Sequence, residues 1–436
     1  MIAHDPFPLD ISQASGWYAA LPPPAPANRL EGKQKADWVV IGAGVTGLGA
    51  ARRLAELDPG ARVILLERHR VGYGASGRNS GFVMDTPHLT DGFDVTHSRR
   101  VSRLVTAGLA QLERLVRNHG INCEWSRSGH LNAIVESKWT GKLESLCRTL
   151  DSVDKTYEWL ERDALANIVG TRHYHAAVFM PNTVLMNPAA LCSGLADSMP
   201  ENVEVFQESP VRRIDPGSPA EIDCAEGSII ARNVLLTTNA LTPALGFLRR
   251  ELCVLSAYVS LSKPLNDVDH AAMSGEIEWG ITPAVPMAPT IRRTRSGRIL
   301  VRHGVWCTDN YLLNYASKRE LSAAHEKLVR KRFPMLENLE MEHTWGGVFC
   351  MTRRWASFFG RLERGLFACG GYAGIGIARG TISGALLAEF ALGSESGLIR
   401  DAQALSAPCR LPPEPLLSLG VNARLWWKRL RATAEC

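Results

Sequence analysis

Between Asp37 and Glu67 lies the stretch that most narrows what this chain can fold into. The apolar run Trp38 to Ile41 reads as a buried parallel strand. It leads directly into Gly42, Gly44 and Gly47, spaced G-x-G-x-x-G. Val45 to Leu57 then reads as a helix, with small residues where it must lie close to a sheet. A second apolar run, Val63 to Leu66, ends in the acid Glu67, twenty residues beyond the third glycine. Each part has a physical task. Gly42 permits the tight turn, Gly44 lets backbone approach a pyrophosphate, and Gly47 lets helix and strand pack closely. The helix start, with Val45 and Thr46, offers N–H groups to phosphate. Glu67, followed by Arg68, accepts hydrogen bonds from ribose hydroxyls. This pattern predicts a dinucleotide-binding βαβ unit.

The bulk properties fit an enzyme of ordinary globular composition. At 436 residues the chain exceeds one simple core, so two interlocked domains are expected. A formal net charge of +5 is small for this length, and no Lys/Arg run tracks a nucleic-acid backbone. No nucleic-acid function is read. The ten cysteines are scattered singly, without C-x-x-C or a Cys/His cluster at zinc spacing. They predict reduced thiols of a cytoplasmic protein and no metal site. The first residues lack the basic and apolar regions of a secretory signal. The longest apolar candidate, Ile382 to Leu392, contains Glu389 and suits a core helix.

Residues 1–36 are polar and Pro-rich and predict an extended arm, anchored by Ser15-Gly16-Trp17-Tyr18. Residues 97–118 carry one apolar stripe and predict a helix. Residues 123–136 predict a strand pair and 138–166 a return to helix. A helix begins after Asn187-Pro188. Short strands follow at Val203, Pro210, Glu221 and Ser228, then a buried strand pattern from Asn233 to Ala240. From 252 to 308 the chain is strand-rich, with a helix at 317–332. A strand at Gly365 to Cys369, a Gly turn and a helix from Ile377 close the pattern. Segments 37–96, 185–250 and 345–395 are expected to form one discontinuous domain. Segments 97–184 and 251–344 form a second, and 396–436 a tail.

Three separated motifs then combine: Glu67, the run Gly74-Ala75-Ser76-Gly77-Arg78-Asn79-Ser80-Gly81-Phe82, and Gly370-Gly371-Tyr372-Ala373-Gly374-Ile375-Gly376-Ile377. The pattern resembles the D-amino-acid oxidase, glycine oxidase and sarcosine oxidase family of FAD enzymes. The leader, the 75–82 run and Trp345-Gly-Gly look most similar to its gamma-glutamylputrescine oxidoreductase branch. The resemblance implies an α/β Rossmann-like FAD-binding domain of glutathione-reductase type, interleaved with an antiparallel-sheet substrate domain. It implies FAD contacts from Gly74, Ala75, Ser76, Arg78, Asn79, Ser80 and Gly81, where glycines allow close approach and the polar side chains supply contacts. It extends them to Val211, Thr238, Asn239, Ala240, Gly347 and Gly371. N–H groups of Gly374, Ile375 and Gly376, with Ile377 behind them, are expected at the flavin pyrimidine edge, where a helix N-terminus favours the charge of reduced flavin.

Two departures from the family bear on substrate. Glycine oxidases place an arginine on the substrate carboxylate, and Phe349 stands at that position. Sarcosine oxidases carry G-F-S-G-H-G-F-K where this chain has apolar Ile375 and Ala378. A buried carboxylate without its cation costs several kcal/mol. The expected substrate is therefore an amine whose reacting end is uncharged or apolar, oxidised at its C–N bond. The alternatives are an amino-acid or N-methyl amino-acid dehydrogenase with another cation, such as Arg292, Arg293 or Arg302, and an inactive FAD-binding module. Phe349, Ile375, Tyr372 and Arg302 are the substrate-pocket candidates, and no catalytic acid or base stands out. The cysteine that binds flavin covalently in some relatives aligns with Gly347, so FAD is expected to be non-covalent. The electron acceptor is oxygen or a quinone. The basic, aromatic tail at 421–431 is expected to pack on the molecule's own surface; the other reading is weak contact with a membrane surface.

Overall fold

The structure, a computed structural model, describes residues 15–86, 94–308 and 317–436. Five parallel strands form its first sheet in the order Leu366–Gly370, Gly227–Leu236, Gly32–Ile41, Val63–Leu66 and Val203–Phe206. Phe358–Glu363 pairs antiparallel at one edge. Their central positions are apolar on both faces, as a parallel sheet covered on both sides requires. On one face the helices Val45–Leu57, Gly376–Ala391 and Val95–Asn118 close a core. On the other, the strands Val211–Asp215 and Ala220–Cys224 fold over Val39, Ile41, Ile64 and Leu66.

The second sheet has eight strands. Its order is Met341–Met351, Cys253–Ser262, Ile299–Cys307, Thr290–Arg293, Trp279–Pro283, His130–Ile134, Ala176–Met180 and Glu158–Glu161. All its pairs are antiparallel except Trp279–Pro283 with His130–Ile134. The helix Lys318–Arg332, capped by the Ser317 side chain, covers one face over Ile291, Ile299 and Val301. The opposite face carries Trp345, Val259, Leu300 and, from the arm, Trp17.

Several expected boundaries move. The first parallel strand begins at Gly32, so an arm ending at residue 36 would cut through it; residues 1–14 lie outside the described residues. Met341–Met351 is one strand of the second sheet, so a domain boundary at 345 also falls inside an element. Helix Val95–Asn118, expected with the substrate domain, packs among the helices of the first. The helix expected over 138–166 is instead Thr140–Ser152, a strand Glu158–Glu161 and Arg162–Val169. The strand pair expected at 123–136 is the single strand His130–Ile134. The runs at Ser228 and Asn233 are one strand, Gly227–Leu236. These differences share a cause: periodicity marks an element, whereas its partners come from chain segments far away in sequence.

Candidate functional site

The glycine turn has the geometry its spacing predicts. Gly42 has φ +101°, a backbone conformation that side chains resist. A Cβ on Gly47 would stand 1.8 Å from the Gly42 carbonyl oxygen. Gly44 sits at the N-cap of helix Val45–Leu57, where the first-turn N–H groups have no carbonyl within the helix to accept them. One of them, Val45 N–H, donates to Ser76 Oγ at 3.1 Å, so the second glycine cluster is stitched to the first. Behind the turn, helix Gly376–Ala391 crosses helix Val45–Leu57 almost in backbone contact. A Cβ on Gly384 would stand 1.9 Å from the Thr46 carbonyl oxygen.

Glu67 is half-buried beside this turn. Its carboxylate accepts from Ala43 N–H at 2.9 Å and His69 N–H at 3.0 Å. Burial raises its pKa, and those N–H bonds oppose the rise. Arg68 N–H is a third backbone donor to the carboxylate, and a carboxylate has about four acceptor sites in all. Arg68 lies alongside and contacts the His69 ring at 3.2 Å. Val211, two residues beyond Ser209 N–H donating to the Glu67 carbonyl, has its side chain in the apolar core beneath.

The 74–81 loop is held from several directions. It opens with a short 3-10 turn, Ala75–Gly77. Asn79 donates to the Ala75 and Ser76 carbonyls and accepts from Gly81 N–H. Trp17 Nε1–H donates to the Asn79 carbonyl at 2.8 Å, Trp345 Nε1–H to that of Arg78 at 3.0 Å, and Ser15 Oγ–H to that of Gly77 at 3.0 Å. Arg292 donates to the Ser80 and Gly81 carbonyls and pairs with buried Glu278 at 3.3 Å. Arg78 is buried and donates to the Tyr73 and Gly346 carbonyls. The guanidinium and carboxamide expected to contact a cofactor therefore also shape the loop. Gly74 has no protein atom within 4 Å of a built Cβ, so packing inside the chain does not demand glycine there.

Two further turns converge on the same end of the parallel sheet. Thr237 Oγ1–H donates to the Ile41 and Gly42 carbonyls, bracing the first turn. Thr238 stands at the N-cap position of the 3-10 segment Asn239–Leu245, its hydroxyl bonded to that of Thr242 at 3.0 Å, and the segment contains buried Ala240. Asn239 Oδ1 accepts from Gly371 N–H at 2.9 Å, tying this turn to the last one. Helix Gly376–Ala391 begins there, with Ile375 as its N-cap residue.

The pocket candidates divide. Ile375 N–H is used within its own turn, donating to the Tyr372 carbonyl at 3.2 Å, which corrects the expectation that it faces a ligand. The Ile375 side chain belongs to the helix-side core with Ile377 and Ala378. Tyr372 is also corrected as a pocket residue. Its phenol turns inward between Thr46 Oγ1 at 3.4 Å and Cys369 Sγ at 3.5 Å, and burial holds its pKa well above the usual value. Phe349 and Arg302, by contrast, share one face of the second sheet with Trp345 and Gly347. The register across strands runs Arg302–Val259–Trp345, then Ala257–Gly347, then Leu255–Phe349. Gly347 lies against Arg78: a Cβ there would be 3.5 Å from Arg78 Cβ. Arg302 donates to Thr290 Oγ1 at 2.7 Å and has no ion pair among the described residues. Burial pushes its pKa down to about 10.

Sequence reasoning missed Thr237, whose only sign is a hydroxyl at the end of an apolar run. It also missed Arg379, the buried cation one position beyond Ala378. Arg379 donates to Ser357 Oγ at 3.2 Å, and burial pushes its pKa down to about 10. Among the described residues no cluster of His, Cys, Asp or Glu could hold a metal ion.

Comparison with known proteins agrees with this geometry. The family described as FAD dependent oxidoreductase (DAO) matches residues 37–390. The chain is 26% identical over 383 residues to the probable oxidoreductase OrdL of Haemophilus influenzae, covering 84% of this chain and 85% of that one. It is 25% identical over 414 residues to the gamma-glutamylputrescine oxidoreductase of Escherichia coli, covering 92% of each. In fold it is similar to glycine oxidase from Geobacillus kaustophilus, with a TM-score of 0.72 at 17% identity, covering 87% of this chain and 100% of that chain.

Proposed function

Because the chain belongs to the DAO family of FAD-dependent oxidoreductases, we propose that it oxidises the C–N bond of an amine whose reacting end carries no charge. When bound, FAD would supply the redox chemistry, accepting at flavin N5 the hydride of the carbon beside the nitrogen. The substrate loses that hydride and a proton to become an imine, and water hydrolyses the imine to a carbonyl compound and an amine. Oxygen or a quinone then takes the electrons. The residues' own part is binding and orientation. Gly42, Gly44, Gly47 and the first turn of helix Val45–Leu57 would hold the pyrophosphate, and Glu67 would hold the adenosine ribose. The start of helix Gly376–Ala391, with buried Arg379 in its first turn, would favour the negative charge of a reduced flavin held beside it.

The observation that carries the substrate reading is Phe349 on the face of the second sheet that holds Gly347 against Arg78. An aromatic ring there welcomes an apolar chain and offers a carboxylate no partner. The gamma-glutamylputrescine oxidoreductase relative, named for an amine substrate, supports the same class. A second reading rests on Arg302. This guanidinium lies on the same face without an ion pair among the described residues, and would serve an amino-acid or N-methyl amino-acid substrate. Anaerobic mixing with a panel of amines and small amino acids, followed by flavin bleaching, tests both. Rapid bleaching by an amine and none by glycine, sarcosine or small D-amino acids is expected. The converse, abolished by Arg302→Met, would establish the second reading instead.

A further inference from the structure

The C-terminal helix Leu416–Arg431 binds the molecule with one face and leaves the other bare. On the inner side Leu417 and Val421 pack with Phe349 over the cluster of Cys253, Leu255, Cys307 and Leu411. Asn422 Oδ1 accepts from Cys307 N–H at 2.9 Å, and Arg429 stacks over Trp306 at 3.7 Å. The chain end is fixed as well, since Glu435 accepts from Val135 and Glu136 N–H. On the outer side Leu416, Leu419, Trp426, Trp427 and Leu430 are 64, 65, 59, 48 and 54% exposed. At helical spacing these five fall within an arc of roughly 100°. They are five of the twelve large hydrophobics exposed among the described residues, so this is a patch and not scatter.

Within the helix the charge has one sign, although Glu414 just before it accepts from Ser418 N–H. Arg424, Lys428 and Arg431 follow one flank, and the helix contains no Asp or Glu. Arg431 stacks on the Trp427 ring at 3.7 Å. Burial and the nearby Arg424 and Lys142 lower the Lys428 pKa, so cations gather along this flank.

We propose that this helix lies flat on an anionic lipid bilayer, its leucines and tryptophans in the interface and its cations among acidic headgroups. Exposed indoles beside Arg and Lys are the chemistry of an interfacial helix. At sixteen residues it is about 24 Å long and presents only one apolar face, so it rests on the bilayer instead of crossing it. A second copy of the chain is a poorer occupant. Antiparallel two-fold pairing of this face would set the two basic flanks together, with no carboxylate on either helix to offset them.

The test uses the full FAD-loaded chain and co-sedimentation with phosphatidylcholine vesicles, with and without phosphatidylglycerol. At least tenfold stronger partitioning onto the anionic vesicles is expected, weakened by added salt and accompanied by a blue shift of tryptophan emission. W426S/W427S and, separately, R424E/K428E/R431E should each lose most of that binding while keeping the flavin spectrum and turnover in solution. Absence of binding to anionic vesicles overturns the proposal, as does binding unchanged in both variants. A concentration-dependent dimer that W426S/W427S abolishes, without vesicle binding, would give the face to a second copy.

Discussion

Replacing Glu67 by Gln changes one atom and separates the two tasks assigned to this side chain. In the wild type both carboxylate oxygens accept a backbone N–H, from Ala43 at 2.9 Å and from His69 at 3.0 Å. Gln keeps one acceptor, so one of those N–H groups faces an NH2 donor. Leaving it unsatisfied costs about 1–3 kcal/mol of stability in the apoprotein. Cofactor binding loses separately. A charge-assisted bond to a ribose hydroxyl is worth about 1.5–3 kcal/mol, which corresponds to a roughly ten- to hundredfold rise in Kd for FAD. Titrating apoprotein with FAD and, in parallel, with FMN reads the two effects apart, because FMN has no adenosine ribose. FAD affinity should fall while the weaker FMN binding stays near its wild-type value. The pH dependence adds a sign. Burial raises the Glu67 carboxyl, so its charged acceptor is lost as pH falls through that raised pKa. Wild-type FAD affinity should therefore decline on acidification more steeply than that of Glu67→Gln. An FAD Kd unchanged within about threefold, or an equal loss for FMN, would refute the ribose assignment.

Acid precipitation should release all yellow colour as FAD; flavin left in the pellet would overturn the non-covalent reading drawn from Gly347. Phe349→Arg should slow amine turnover at least tenfold and create binding of small carboxylates, seen as a perturbed flavin spectrum, because a guanidinium there can pair bidentately. If neither changes, Phe349 does not line the site. On the helix-covered face of the second sheet, burial pushes His303 and His325 down to about 3 and about 4. The unfolded chain, with histidines near about 6.5, takes up protons first as pH falls, so their stability contribution is whole above that value and is lost toward about pH 4. The Tm of the wild type should drop across this window more steeply than that of His325→Asn, and equal slopes would contradict the burial argument.

Local chemistry was readable wherever the backbone itself is the constraint. Gly42 and Gly47 announce a turn because side chains resist that φ and that approach, and Asn187-Pro188 announces a helix because its carboxamide caps Ala189 and Ala190 N–H. The anchoring of the arm was readable too, since Trp17 is large and apolar and carries one N–H that needs a partner. Side-chain direction was not. Tyr372 and Ile375 sit in a turn whose sequence suggests a ligand, yet both face the helix crossing. Nothing local to residues 371–377 reveals that helix Val45–Leu57 passes behind them.

From its sequence alone this chain was determined to contain a dinucleotide turn, an acid-ended second strand and a late glycine-rich helix start. Those features depend on bonds between near neighbours. Only the tertiary structure decided that the three turns meet at one end of the parallel sheet, and that Trp17 and Trp345 clamp the 74–81 loop. It also decided that Phe349 and Arg302 share a face while Tyr372 does not. The reason is physical. A hydrophobic pattern says which side of an element leaves water, but which distant element covers that side depends on the shapes of both. Here backbone contact at Gly384 and cross-strand register in the second sheet made that choice.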